Sequence, residues 1–340
     1  MSGQSKTRAG ELDLIERVRR RVSGIASEGL RLGIGDDCAL LRPKSGEELA
    51  ITTDLSIAGR HFQLDWHSPK SVGHRTLARG LSDLAAMGAR PLAAFVSLGL
   101  PRELTVAQGR RRVAWIDSFY DGFLALAEAH KCPLAGGDLA ESPLAVADIV
   151  LVGAVKRRQA LLRSGARIGD QIYVTGALGG AEAGLTQLST LAAEAQPGKR
   201  LRIPKRLEAL LAPHLYPQPR LAQGLWLVKR RVATAAIDLS DGLSTDLAHL
   251  CDESHVAAVI DAVALPVAPG ADLNQALHGG EDYELLFTAP PTAHLPRAIA
   301  GVPVTRIGRI VRRRADQPQV TLLASDGSRP LEHRGWQHFA

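Results

Sequence analysis

Aspartates recur where this chain leaves a strand or enters a turn: Asp36 and Asp37 in GIGDD, Asp54 in TTD, Asp83 in LSD, Asp138 in GGD, Asp238 and Asp241 in DLSDG. Taken singly, an acid after glycine is ordinary turn chemistry, and Asp241 is placed to cap a helix carrying Leu243, Leu247 and Leu250. Asp83 resists that explanation. It falls in the second half of a helix, where the macrodipole opposes a negative charge by roughly 0.3–1 kcal/mol. If the acids converge, two of them about 4 Å apart at an effective dielectric near 20 repel by about 4 kcal/mol. Such a cluster needs counter-charge. Thr52, Thr53 and Ser240 add hydroxyls to the carboxylates, and no His/Cys cluster accompanies them. Hard oxygen donors suit Mg2+ rather than zinc or copper, and Mg2+ held by a few carboxylates usually serves a phosphate substrate. The chemistry indicated is multi-metal phosphoryl transfer, without the GxxxxGK[ST] phosphate loop, which is absent.

The elements that must position these residues alternate in type. LAITTDLSIAG reads as a strand running into a turn. SVGHRTLARGLSDLAAMGARP reads as a helix, with Leu77, Leu81 and Leu84 on one face, Gly88 as a stop and Pro91 beyond. LAAFVSLGLP is a buried strand, AWIDSFYDGFLALAEAH a long helix, CPLAGGDLA a strand and Gly-Gly turn, and AVADIVLVGAV another strand. The alternation then restarts with DQIYVTG, a glycine loop and a helix from about Ala181. EAQPGKRLRIPKRLEALLAPHLYPQPR is a Pro- and Lys/Arg-rich excursion. TAAIDLSDG is a strand ending in acids, LSTDLAHLCDES a helix and EDYELLFTA a strand. Two comparable α/β halves meeting near residue 155 are expected. The loop VTGALGGAEAG leaves two readings open: backbone N–H groups cradling a phosphate, or tight strand-to-helix packing.

A length of 340 residues fits about two domains. Hydrophobic residues make up 45% and aromatics only 4%, so Ala, Leu, Val and Gly must fill the cores. No apolar run reaches the ~20 residues of a membrane span, and the polar start MSGQSKTRAG lacks a secretory core. Cys38, Cys132 and Cys251 are scattered and odd in number, which favours a reducing compartment. A cytoplasmic protein is expected, with no membrane partner. The net charge of +6 could suggest nucleic acid. The arginine clusters RVRRRV, GRRRVA, VKRRQA, VKRRVA and VRRRAD are instead spread along the chain without interleaved aromatics, so no nucleic-acid partner is expected.

Taken together, GIGDDCALL, TTDLSIAGRHF, LSDLAAMGARP, GGD, RSGARIGDQIYVTG, IDLSDGLSTDL and GGEDYELLFT resemble the thiamine-monophosphate kinase family. That family belongs to the aminoimidazole-ribotide synthetase and selenophosphate synthetase superfamily. The motifs come in family order from about residue 10 to the terminal GWQHF, and AGRHF and GGEDYEL favour the thiamine kinase over its relatives. The resemblance implies a two-domain α/β (α+β) fold of the aminoimidazole-ribotide-synthetase type. Residues 1–155 would form an N-terminal sheet domain that binds ATP and Mg2+ and pairs into a homodimer. Residues 156–340 would form a C-terminal α/β domain that closes over the active site. It also implies ATP as co-substrate, thiamine monophosphate as acceptor and several Mg2+ ions.

By the same resemblance, Asp37, Thr52, Thr53, Asp54, Asp83, Asp138 and Asp238 match the metal-binding set, with Asp241 holding a further ion. Gly137, Asp138, Arg163 and Ser240 match ATP-contacting positions, as does Tyr120 in SFYDG. His61, Glu281 and Trp336 match substrate-contacting positions. Each of these three also has a plain reading, as a turn histidine beside Phe62, a strand terminator after Gly279-Gly280, and a packing tryptophan. Two departures stand out. Leu139, Ala140 and Glu141 follow GGD where the family often has Thr-Thr-Arg, and Gly180 stands where it commonly has Asp. No general base is expected, because a phosphate monoester acceptor, with its second pKa near 6, is already largely dianionic at neutral pH. Selenophosphate synthetases would be expected to carry a reactive Cys in an N-terminal glycine-rich segment, and none precedes Cys38. A non-catalytic nucleotide sensor would not need the full acid set. A basic nucleic-acid binder would show a steep log–log salt slope in an oligonucleotide titration; the dispersed arginines predict no such slope.

Overall fold

The computed structural model describes residues 11–22, 28–106, 114–195 and 201–336. The polar amino-terminal stretch, GRRRVA up to Val113, residues 196–200 of the Pro-rich segment and the end of GWQHF lie outside them. The chain divides into two compact units. One comprises Met1–Ser45, Ile51–Gly80 and Pro91–Val152, the other Gly46–Ala50, Leu81–Arg90 and Gly153–Ala340.

Helix α1 (Glu11–Val22) is followed by a small antiparallel pair, β1 (Leu30–Leu32) with β2 (Leu40–Leu41). Then come β3 (Glu47–Ile57), α2 (Pro69–Ala86), β4 (Arg90–Leu100), α3 (Trp115–Ala129), β5 (Leu134–Glu141) and β6 (Val146–Lys156). The strands form a four-stranded sheet in the order β3-β6-β4-β5. Strands β4 and β5 run parallel with Ser97 opposite Asp138. The expected Gly-Gly turn is therefore not a turn: Gly136 and Gly137 lie inside β5. Glycine is required there by approach rather than by bending. A Cβ on Gly137, whose φ is +150°, would come within 1.9 Å of the Val96 carbonyl oxygen.

The helices of the first unit meet through glycine as well. A Cβ on Gly73 of α2 would meet the Phe119 carbonyl oxygen at 1.9 Å, and one on Gly122 of α3 would meet that of Lys70 at 1.8 Å. Close helix contact lets a core poor in aromatics pack densely, with Leu77, Ala78, Phe119 and Phe123 all fully buried. Arg17 and Arg21 of α1 donate to Asp117 and Asp121 of α3.

The second unit continues with β7 (Gln171–Thr175), α4 (Gly180–Ala193), α5 (Glu208–Leu215), α6 (Leu221–Arg230), β8 (Ala235–Asp238), α7 (Leu243–Glu253) and β9 (Ala257–Asp261). It ends with α8 (Leu273–His278), β10 (Leu285–Ala289), β11 (Ala298–Ile299), β12 (Val302–Val311), β13 (Val320–Ala324) and β14 (Gly327–Pro330). Its sheet runs β14-β13-β9-β12-β7-β10-β8, with β11 paired to β12. Strand β10 lies antiparallel between β7 and β8, pairing Leu286 with Val174 on one side and with Ile237 on the other. Leu243, Leu247 and Leu250 of α7 pack into a core with Ile172, Val174, Ile237, Leu286 and Ile307. Two expectations shift. The strand expected over EDYELLFTA begins only at Leu285. Asp241 is not the cap of α7: Gly242 occupies that position and no side chain caps the helix there. No described helix is long and apolar enough to cross a membrane.

Gly73→Ala or Gly122→Ala should lower the free energy of unfolding by about 1–3 kcal/mol, as overpacking does. Urea denaturation checks this; an unchanged midpoint would contradict the close helix packing described.

Candidate active site

In the first unit, Thr52, Thr53, Asp54 and Asp138 sit within strands β3 and β5 rather than at turns, and Asp37 lies in a loop. Thr52, Thr53 and Asp54 follow one another on β3, so their side chains alternate between the faces of the sheet. The Thr53 hydroxyl donates to Asp148 of β6 at 3.2 Å. Asp54 accepts from the Arg79 guanidinium of α2 at 2.8 Å, and Arg79 also reaches the Ser56 hydroxyl at 3.3 Å. Arg79 supplies the counter-charge that a carboxylate in a strand interior needs. Asp37 and Asp138 are exposed. The Asp37 N–H donates to the Asp36 carboxylate, while the Asp138 carboxylate accepts the N–H of Leu139, both at 2.9 Å.

His61 lies in the turn after β3, where its Nδ1 accepts the Ile57 N–H at 3.1 Å. A neutral ring held this way carries its proton on Nε2. The ring borders a small cavity that Phe62, Arg75 and Arg79 also line. Tyr120 is buried in α3 between Phe119 and Phe123, and burial pushes its hydroxyl pKa up.

The second unit gathers residues from distant stretches around the loop between β8 and α7. Asp238, at the end of β8, is 4% exposed and accepts the Ser82 hydroxyl at 2.6 Å. Next to Ser82, Asp83 is half-buried near the end of α2. The Ser240 carbonyl accepts the Glu281 N–H at 2.8 Å, and the Asp241 carbonyl accepts the Trp336 N–H at 3.1 Å. Gly335 donates to the Thr245 hydroxyl at 3.1 Å. Ser240, Asp241, Glu281 and Trp336 are thus joined by backbone bonds, and the Trp336 residue is 52% exposed. Arg163 is exposed in a short helical turn, Arg163–Gly165.

Asp246 was not among the expected residues, yet it organises this turn. Its carboxylate accepts the N–H groups of Asp241 at 3.1 Å and Gly242 at 3.0 Å. Burial, then the nearby Asp238 and Asp241 carboxylates, push its pKa well above the ordinary carboxylate range. The signal was in the sequence: an acid between Leu243 and Leu247 on the apolar side of a helix has to have a reason to be buried.

The GGEDYE loop holds a second group that was missed. Glu281 and Tyr283 adopt left-handed backbone conformations, φ +66° and +50°, each costing on the order of 1–3 kcal/mol. Tyr283 donates to the Leu239 carbonyl at 2.9 Å, and Leu239 donates back to that of Glu284 at 2.8 Å. Glu284 is buried, accepts the Thr175 hydroxyl at 2.6 Å and is clasped by Arg220. Glu281 lies 3.4 Å from Nδ1 of the buried His214. The Asp282 carboxylate accepts the N–H of Gly179 at 2.6 Å and of Ala181 at 3.0 Å, at the start of α4. Of the two readings of the glycine loop, packing is therefore the one realised at these N–H groups: a carboxylate of the chain itself occupies them.

Among the described residues, no three His, Cys, Asp or Glu side chains are grouped so as to hold an ion by themselves. Mg2+ binds through one or two carboxylates plus substrate phosphates and keeps several waters. The crowding of Asp238, Asp241 and Asp246 fits a cation in its chemistry, since a positive charge there would relieve the repulsion.

Residues 35–155 match the family described as AIR synthase related protein, N-terminal domain. Across 345 aligned residues the chain is 39% identical to the thiamine-monophosphate kinase of Escherichia coli K12, covering 97% of this chain and 98% of that one. The crystal structure of thiamine-monophosphate kinase from Stenotrophomonas maltophilia K279a is 38% identical, covers 91% of this chain and 95% of its own, and superposes with a TM-score of 0.74. AaThiL, solved in complex with AMPPCP and TMP, is 31% identical over 99% of this chain and 100% of that one, with a TM-score of 0.71. Near-complete coverage at this identity, together with the two-unit architecture, shows that the chain is an enzyme of the thiamine-monophosphate kinase family.

Proposed function

We propose that the chain transfers the γ-phosphoryl group of ATP directly to thiamine monophosphate (TMP), giving thiamine diphosphate. One observation carries this reading. Ser240, Asp241, Glu281 and Trp336, matched by resemblance to ATP, metal and substrate contacts, are joined by neighbouring backbone bonds although the chain separates them by up to 96 residues. The binding of AMPPCP and TMP to one family member supports both substrates.

The acceptor phosphate is its own nucleophile, so the residues need to orient and neutralise rather than remove a proton. Asp37, Thr52, Thr53, Asp54, Asp83, Asp138, Asp238 and Asp241 would hold Mg2+. Bound divalent ions supply charge neutralisation and a template for in-line attack. The chain's part is to present oxygen donors in fixed places. Ser82 orients Asp238, Arg79 orients Asp54, and Asp246 shapes the backbone that carries Asp241. Gly137, Arg163, Ser240 and Tyr120 are assigned to ATP. Glu281 sets a negative charge against the cationic thiazolium ring. The exposed indole of Trp336 offers a stacking face worth on the order of 0.5–2 kcal/mol. His61 offers its Nε2 proton to a phosphate oxygen.

Homodimer formation belongs to the same proposal. Along β3, Leu49, Ile51 and Leu55 are 46%, 66% and 45% exposed on one face of an edge strand. An apolar stripe of this kind is normally covered. The free cysteines Cys38, Cys132 and Cys251 fit a cytoplasmic location.

Purified chain with ATP and Mg2+ should make diphosphate product from TMP only, and a chelator should abolish it; appreciable turnover of free thiamine would point to a different kinase. Asp83→Asn and Asp238→Asn should keep near-wild-type thermal melts while losing on the order of 10²–10³-fold in turnover. Loss of the fold with no metal-dependent effect would make these acids structural. Ile51→Asp should halve the sedimentation mass; an unchanged mass would remove β3 from the interface.

A further inference from the structure

We propose that Asp282 is a positioning residue for acceptor recognition: it ties the start of α4 to the loop 279–284 and so sets Glu281 against the cationic ring of TMP. The inference deepens the function above and rests on it. It begins from an unfilled cap. Gly179 holds the N-cap position of α4 with φ +83°, and no side chain of that segment caps the helix. The first N–H groups of a helix need acceptors. Asp282 provides them from 101 to 103 residues away, one oxygen to Gly179 and the other to Ala181. The same residue is flanked by the left-handed Glu281 and Tyr283. Left-handed backbone at non-glycine residues persists only where the surroundings over-determine it. Here the Glu281 and Tyr283 N–H groups are held by Ser240 and Leu239 on one side, and the Asp282 side chain is held by α4 on the other. Removing the clamp frees the backbone turn that aims Glu281.

The clamp is also ionisable. Burial pushes the Asp282 carboxyl up to about 7; its two backbone hydrogen bonds oppose this, and Glu284 and Glu182 add to it. The surrounding charges are accounted for: Glu182 faces it from α4, Glu284 is clasped by Arg220, and His214 of α5 engages Glu281. His278 of α8 bonds the Ser244 hydroxyl. Above neutrality the carboxylate accepts both N–H groups, whereas a protonated carboxyl has one oxygen turned donor. Acceptor binding should therefore tighten as pH rises through about 7. The stability contribution runs the other way. The folded state holds this proton more tightly than the unfolded state, so stability falls as pH rises from about 4 to about 7. Binding and folding thus respond oppositely to the same ionisation.

The test uses the full chain and steady-state kinetics with TMP and ATP, on wild type, Asp282→Asn, Glu281→Gln and the double variant. For Asp282→Asn we expect the KM for TMP to rise about tenfold at about pH 8, with the KM for ATP changed by less than about twofold. The wild-type KM for TMP should fall about threefold from about pH 6.5 to about pH 8.5, and that of Asp282→Asn should stay flat. If Asp282 acts through Glu281, the double variant should bind TMP no worse than Glu281→Gln alone. Equal changes in both KM values, a loss confined to kcat, or strict additivity would overturn the proposal. Should Asp282→Asn not fold, the wild-type profile decides, and a KM for TMP that is flat or rising with pH overturns it. A wild-type chain without TMP kinase activity would sink the function itself, which an active wild type with an indifferent Asp282→Asn would not.

Discussion

Carboxylates close together in a partly dry setting repel strongly, and the second unit is built around that constraint. Asp238, Asp241 and Asp246 share one turn, and two backbone N–H groups are not enough to hold Asp246 in the ordinary carboxylate range. A fold does not accumulate such a cost without a return. Under the proposed function, the return would be a turn whose geometry is set in advance for a cation and the phosphates that it carries. The Ser82 bond to Asp238 and the Asp246 bonds to the turn remove freedom before any substrate arrives. Preorganisation of this kind is the main contribution a protein can make when the nucleophile needs no activation.

The same economy governs the GGEDYE loop. Its acidic side chains take different partners: Glu281 meets His214, Asp282 caps α4, and Glu284 pairs with Arg220. Neighbouring acids would repel if they shared one environment. Each has its own donor or cation, and the backbone takes two left-handed residues between them, although Glu284 still helps to push the Asp282 pKa up.

Much of the architecture was legible in the sequence because apolar spacing determines which face of an element is buried. The leucines of α2 and α7 and the stop at Gly88, which has φ +63°, behaved as their spacing implied. Asp238, Asp241, Glu281 and Trp336 were legible as types in motifs. What was not legible was anything decided by contact across the chain. Gly136-Gly137 looked like a turn because glycine's conformational freedom is a local property, whereas the need for it came from the Val96 carbonyl on a neighbouring strand. Asp241 looked like a cap because the acid that fixes the turn, Asp246, lies inside the helix. Asp282, Arg220 and His214 are not marked in the sequence for the same reason. Their partners lie 64 to 103 residues away, and nothing local marks one arginine or histidine in a Pro-rich segment above its neighbours. The pair Asp272 and Gln275, which forms a capping box on α8, is by contrast a local signal of where that helix starts.

The placement of β10 bears on how this protein comes into being. The strand sits between β7 and β8, both made earlier by the ribosome, and the GGEDYE loop leads directly into it. Until Ala289 is available, β7 and β8 lack the strand that pairs with both of them. Pairing β10 with both is a long-range contact, and long-range contacts slow folding in general. Because the GGEDYE loop leads into this strand, the Asp282 cap on α4 and the Glu284 pair with Arg220 can form only once that part of the chain is present.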